Sequence, residues 1–256
     1  MKGLLWLGIV LAAVVGILMP LGYLYVSSKL PPLGSEFELE RQLKHSIEGE
    51  RLSARAGQSA PNDRSHVYVR PELAHWPADL VSLYLVNQGC PHYLGAPREE
   101  GLSWGWRLVV AAATGTSLAG DGRCERAFGM RIAHALGISG TLELTVAAHK
   151  LHRLLRRDQL IAYDLSALYF DRGLVGIDDA SSLLFARPPG KLAFAELAEL
   201  TLVLPPYFLF DDLRICRNPV ALRQSRDSVI ADAGSAALFP EKLLRAAPQQ
   251  ALACTR

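Results

Sequence analysis

Cysteine is scarce and scattered. The 256-residue chain has four, Cys90, Cys124, Cys216 and Cys254, at wide, unequal spacings with no C-x-x-C pair, which argues against a zinc site. Three pairings of four thiols are possible. The preferred one joins Cys90 to Cys124 and Cys216 to Cys254, as an exporting compartment would allow; the plainer alternative is four unpaired, partly buried thiols. An excess of either charge is also lacking. Lys plus Arg number 27 against 25 for Asp plus Glu, a formal charge of +2, which argues against a nucleic-acid binder. There is no G-x-S-x-G elbow, Walker loop, H-E-x-x-H motif, heptad stretch, internal repeat or low-complexity block. The turn-rich stretches Gly115-Thr116-Ser117 and Ala119-Gly120-Asp121-Gly122 lack the phosphate-loop lysine.

Half of the residues are hydrophobic, so a chain of this length can bury a core without staples. The mean hydropathy of +0.16 has a local cause. From Gly3 to Val26 no side chain is charged. A helix of that length spans roughly 36 Å, more than the ~30 Å hydrocarbon layer. This predicts one retained N-terminal transmembrane helix, because the run exceeds a signal peptide's apolar region and ends in Tyr25-Val26-Ser27-Ser28 with no small-x-small cleavage site. Lys2 and the amino terminus on one side, against Glu36, Glu38 and Glu40 soon after Lys29 on the other, predict a cytoplasmic N-terminus and a bulk that is periplasmic or extracellular.

Beyond the anchor, Pro31-Pro32-Leu33-Gly34 reads as a break. Ser35 to Asp63 reads as a polar stalk or extension with a weak helical pattern over Phe37 to Ile47. Val67-Tyr68-Val69 is a candidate strand. Ala78 to Val86 fits a buried helix through Leu80, Leu83 and Tyr84, and Asn87 to Gly105 is loop by composition. Thr141 to Arg157 places Leu144, Ala148, Leu151 and Leu155 on one face. Asp158 is the expected cap of a following helix that runs to about Tyr169, and Ala193 to Leu204 is stopped by Pro205-Pro206. A last helix has Asn218 as cap, Pro219 in the first turn and Gly234 just past its end. The fold class is mainly α.

The segment Tyr163 to Tyr207 resembles the late part of the bacterial peptidoglycan glycosyltransferase domain, the lysozyme-like transglycosylase module of penicillin-binding proteins. Asp164-Leu165-Ser166 stands for the family's Tyr-Leu-Asn; Tyr169-Phe170, Gly173, Gly176-Ile177, Asp178, Ala180 and Ser181 stand for its Tyr-Phe-Gly-x-Gly-x-x-Gly-Ile-Glu-Ala-Ala-Ser loop and helix. Leu184-Phe185-Ala186-Arg187 stands for Tyr-Phe-Gly-Lys, and Ala195-Glu196-Leu197-Ala198 through Leu204-Pro205 for the closing Leu-Pro helix. Arg217-Asn218-Pro219 fits the helix that ends the domain in relatives. The resemblance implies a lysozyme-like domain over residues 66–235 behind an anchor at 1–28 and a juxtamembrane segment at 29–65, with a tail at 236–256. It also implies that Arg172, Asp178 and Ser181 line a cleft, although Arg172 and Asp178 read more readily as a solvated or paired arginine and a helix N-terminal acid. Gly173 and Gly176 read as turn glycines.

Catalysis in that family needs a glutamate as general base and cations, sometimes with a divalent metal, at the departing pyrophosphate. Here the sequence departs from it. Asn87 falls at the glutamate, Gln88 at the aspartate, Pro91 at the phenylalanine and Leu94 at the histidine of the first motif. An amide keeps a carboxylate's shape without its basicity. The second motif maps to Cys124 through Ala133, without its hydroxyls and glutamines, and the third falls near Gly140-Thr141 and Leu144 without its cations, with Glu143 one residue away. On this alignment a Cys90–Cys124 disulfide would staple the cleft shut.

Displaced acids (Glu99, Glu100, Glu125, Glu143) could in principle supply the chemistry, against their plainer reading as solvated surface groups. The basic run His149 to Arg157 could meet lipid phosphates or an anionic membrane face, or be an ordinary exposed helix face. His149 and His152 lack a third ligand, so no metal is expected unless the protein is active. Trp76, Trp104 and Trp106 could stack on sugars, or pack in the core. The expectation is a bacterial inner-membrane protein, degenerate in catalysis, that binds or regulates in cell-wall synthesis. Its expected partners are the membrane, lipid-linked disaccharide or glycan strands and other envelope proteins, with no nucleic acid. The alternatives are an active glycosyltransferase with displaced acids and an envelope scaffold.

Overall fold

The computed structural model describes residues 21–56, 69–96, 121–170, 174–202 and 218–252. The chain is mainly helical. In order it forms α1 (21–29), α2 (Glu36–Ala56), a 3-10 turn Leu73–His75, α3 (Ala78–Asn87), α4 (Asp121–Ala135), α5 (Thr141–Leu154), α6 (Arg157–Ala167), α7 (Gly176–Phe185), α8 (Phe194–Leu202), α9 (Pro219–Ser235) and α10 (Glu241–Ala246). Between α6 and α7 lies a two-residue antiparallel ribbon, β1 (Tyr169–Phe170) and β2 (Leu174–Val175), which pairs Tyr169 with Val175 and Phe170 with Leu174. Among the described residues no helix is long and apolar enough to cross a membrane; the expected span lies outside them but for 21–26.

Two packed groups share one core. Helix α4 lies against α5 and α6, and α3 lies against α8 and α9. The helical period of the sequence explains the first contact. Ala148, Leu151 and Leu155 are buried, and Gly129 of α4 faces Ala148 so closely that a Cβ there would stand 2.9 Å from the Ala148 Cα. Phe128 joins the two groups, with its ring 5.9 Å from that of Tyr84 in α3 and 5.2 Å from that of Tyr93. All three rings are fully buried, each stabilising by about 2 kcal/mol through the area it removes from water.

Several expectations are corrected. The polar segment after the anchor is no stalk where α2 runs: that helix carries Leu39, Leu43 and Ile47 at helical spacing into the core, and Arg41, Lys44 and Glu48 are exposed. The tail also joins the core, through Ala247 and Leu252, because the fully buried Arg226 donates to the Pro248 and Gln250 carbonyls. Val67 and Tyr68 lie outside the described residues, and Val69 is not in a strand. The helix expected over Thr141 to Arg157 breaks at Leu155, and the new one is closed by Gln159, whose side chain accepts from the Arg156 N–H, rather than by Asp158, which pairs with Arg156. Asn218 caps α9 by accepting from the Ala221 N–H at 3.0 Å, but the helix passes Gly234 and ends at Ser235.

Candidate functional site

A cavity of about 630 Å³ opens where the two packed groups meet. The end of α3 supplies Val86, Asn87, Gln88, Gly89 and Cys90; α4 supplies Arg123, Cys124, Phe128 and Arg131; α9 supplies Ser225, Ser228, Val229 and Asp232. The α9 residues recur at helical spacing, which turns two hydroxyls and a carboxylate toward one side.

Cys90 and Cys124 form a disulfide with 6.2 Å between their Cα atoms, which ties α3 to α4 along the cavity wall. This is the pairing preferred from the sequence, and because both cysteines line the cavity the bond braces its wall. Cys216 and Cys254 lie outside the described residues.

Gln88 and Arg131 of the lining belong to a buried polar network. The Arg131 guanidinium grips Asp164 with two parallel bonds, Nε to Oδ1 at 2.9 Å and Nη2 to Oδ2 at 2.7 Å. It also donates to the Tyr84 hydroxyl at 2.6 Å and to Gln88 Oε1 at 3.3 Å, and Tyr84 in turn donates to Asp164. Burial pushes the Tyr84 phenol well above its usual range, with Asp164 adding to the rise and Arg131 opposing it. Burial also works against the Arg131 charge, but Asp164 and Tyr84 outweigh it and hold the group protonated. Asp164 thus accepts three bonds, one on Oδ1 and two on Oδ2, of the roughly four its lone pairs allow, and at 1% exposure it is turned away from solvent.

Asn87 sits beside this network, nearly buried. Its amide Nδ2 donates to the Thr201 carbonyl at 2.8 Å, which fixes the side chain as a brace between α3 and α8. The acid lining the cavity among the described residues is Asp232, which is exposed. Arg123 is the exposed cation at the rim, and a Cβ on Gly89 would come within 2.9 Å of its Nη2.

The other sequence candidates fall elsewhere. Asp178 is paired with Arg70, Nη2 to Oδ2 at 3.2 Å, in the first turn of α7. Ser181 is fully buried and donates to the Arg187 carbonyl at 2.6 Å. Neither lines the cavity, because α7 packs beside α6 and the ribbon. Arg172, Gly173, Glu99, Glu100, Trp104 and Trp106 lie outside the described residues. Trp76 is a core residue. Glu125, expected as a solvated acid or a displaced base, is buried between Arg157 (Nε to Oε1, 2.8 Å) and His152 (Nδ1 to Oε2, 3.0 Å). Glu143 stands in the first turn of α5. His149 and His152 diverge, since His149 Nδ1 meets the Tyr23 hydroxyl at 3.0 Å. No group of three or more His, Cys, Asp or Glu side chains among the described residues is arranged to hold a metal.

Tyr84, Arg123, Arg131, Asp164, Ser225, Ser228 and Asp232 were not legible as site residues. Two signals were present: a lone carboxylate in the apolar run Leu160 to Leu165, and the spacing of Ser225, Ser228 and Asp232. Compared with known proteins, the chain matches no family model, and no curated protein matches it significantly.

Proposed function

We propose that the chain is a membrane-anchored, extracytoplasmic relative of the peptidoglycan glycosyltransferases, with a lysozyme-like arrangement, that binds a ligand of cell-wall synthesis without polymerising it. The observation that carries this reading is the state of Asn87. At the place where the resemblance puts the general base there is an amide, and it is engaged with the Thr201 carbonyl. The neighbouring buried acid, Asp164, is held on both oxygens by Arg131 and Tyr84.

The remaining cavity suits binding. Arg123 offers a cation at the rim, Gln88, Ser225 and Ser228 offer hydrogen-bonding groups, and Val86, Phe128 and Val229 offer apolar wall. A lipid-linked disaccharide carries the matching chemistry of phosphates, hydroxyls and sugar faces, and a glycan strand matches it less well because it lacks the anion. The role is then regulatory, on or beside the enzymes of cell-wall synthesis in the bacterial inner membrane.

The test is a titration of the purified full-length protein with lipid-linked disaccharide, beside Arg123→Glu and Ser228→Trp. Saturable binding that weakens at least tenfold in both variants supports the reading. Equal binding by all three proteins, or none by a folded sample, sinks it and leaves a scaffold.

A further inference from the structure

We infer that the face of α5 beside α1, with Lys29, Lys150 and Arg153, is a binding surface for the anionic headgroups of the bilayer. The apolar run Gly3 to Val26 ends within α1, so the last turns of that helix fix where the chain leaves the bilayer. One side of α1 is docked on α5. The Tyr23 hydroxyl meets His149 Nδ1 at 3.0 Å with the two rings edge-on, Lys150 Nζ donates to the Ser27 carbonyl at 3.1 Å, and Val26 is buried. The other side is uncovered: Leu21, Leu24 and Tyr25 are each more than half exposed, as side chains facing lipid would be. Lys150 therefore stands level with Ser27 at the end of the apolar run, and the charge of Arg153, one turn past His149, reaches Tyr23.

The basic run from His149 to Arg157 divides by partner. Arg156 pairs with Asp158, Arg157 and His152 meet Glu125, and His149 meets Tyr23. Lys150 meets a neutral carbonyl, and the Lys29 ammonium lies 4.3 Å over the Tyr25 ring, so neither charge is cancelled by its contact. Arg153 is exposed one turn beyond His149. Three cations therefore surround the exit of an apolar segment. That is the arrangement by which juxtamembrane basic residues draw anionic lipid. The inference rests on the reading of residues 3–26 as a span and is independent of what the cavity binds.

The experiment is native mass spectrometry of the full-length protein in detergent, titrated with phosphatidylglycerol or phosphatidylcholine. Retention of the chain in membranes at alkaline pH, measured in parallel, reads the span separately. The wild type is expected to prefer phosphatidylglycerol, and Lys150→Gln/Arg153→Gln to weaken that lipid's binding by roughly 30-fold, about fivefold per cation. The charge-keeping Lys150→Arg/Arg153→Lys protein and Arg156→Gln should keep the preference. Equal affinity for the two lipids, or a preference that survives the loss of both cations, overturns the inference.

Discussion

Asp164 is the anchor of the polar network beside the cavity. It is 1% exposed and carries a full arginine fork, so its removal strands the Arg131 charge beside the cavity. Asp164→Ala is expected to lower unfolding free energy by about 3 kcal/mol, and Tyr84→Phe, which removes one bond, by about 1 kcal/mol. Denaturant midpoints measure both, and an unchanged midpoint for Asp164→Ala would mean that the network is not formed. Burial raises the Asp178 carboxyl above the usual value, with Arg70 opposing the rise and Asp179 adding to it. A raised folded-state value contributes stability below the unfolded value, near pH 4, that is lost as pH rises through the folded one. Asp178→Asn lacks this titration, so its stability relative to wild type should improve from acid to neutral pH; a shift toward wild type would contradict the assignment. The amide at position 87 was legible because a motif alignment marks a substitution at one place. Asp164 and Arg131 were not, because their meaning lies in a contact between residues 33 apart in sequence.

At the scale of elements, the helices with strong apolar periodicity were legible and their boundaries were not. Ala78 to Val86 and Thr141 to Leu154 formed where Leu80, Leu83, Tyr84, Ala148 and Leu151 demanded burial. Helix α2 was misread because charge dominates its composition, while burial depends only on the stripe Leu39, Leu43, Ile47. Gly176 was legible as a turn glycine and the structure supplies the reason. Its φ is +80°, and a Cβ would lie 2.7 Å from the carbonyl oxygen of Ser166 in α6. Gly176→Ala is expected to cost at least about 2 kcal/mol, from the left-handed backbone and the clash together. Thermal unfolding measures it, and a variant as stable as wild type would show that α7 can start elsewhere without strain.

At the scale of the molecule, a disulfide ties α3 to α4 along the cavity wall. Cys90 and Cys124 close a loop of sequence separation 34, which stabilises by roughly 3–4 kcal/mol through the unfolded chain. Reduction, or Cys90→Ser/Cys124→Ser, is expected to lower stability by that amount and to loosen α3 against α4, so that hydrogen exchange at the end of α3 speeds up; unchanged exchange would mean that packing alone fixes the wall. The central claim concerns what the braced cavity does. The measurement that tests it most directly is glycan polymerisation from lipid-linked disaccharide by the purified full-length protein in detergent, with and without divalent metal, beside Asp232→Asn. The account predicts bound disaccharide and no polymer in every sample. Polymer from the wild type, lost in Asp232→Asn, would contradict it and make the exposed acid of α9 the base of a working enzyme.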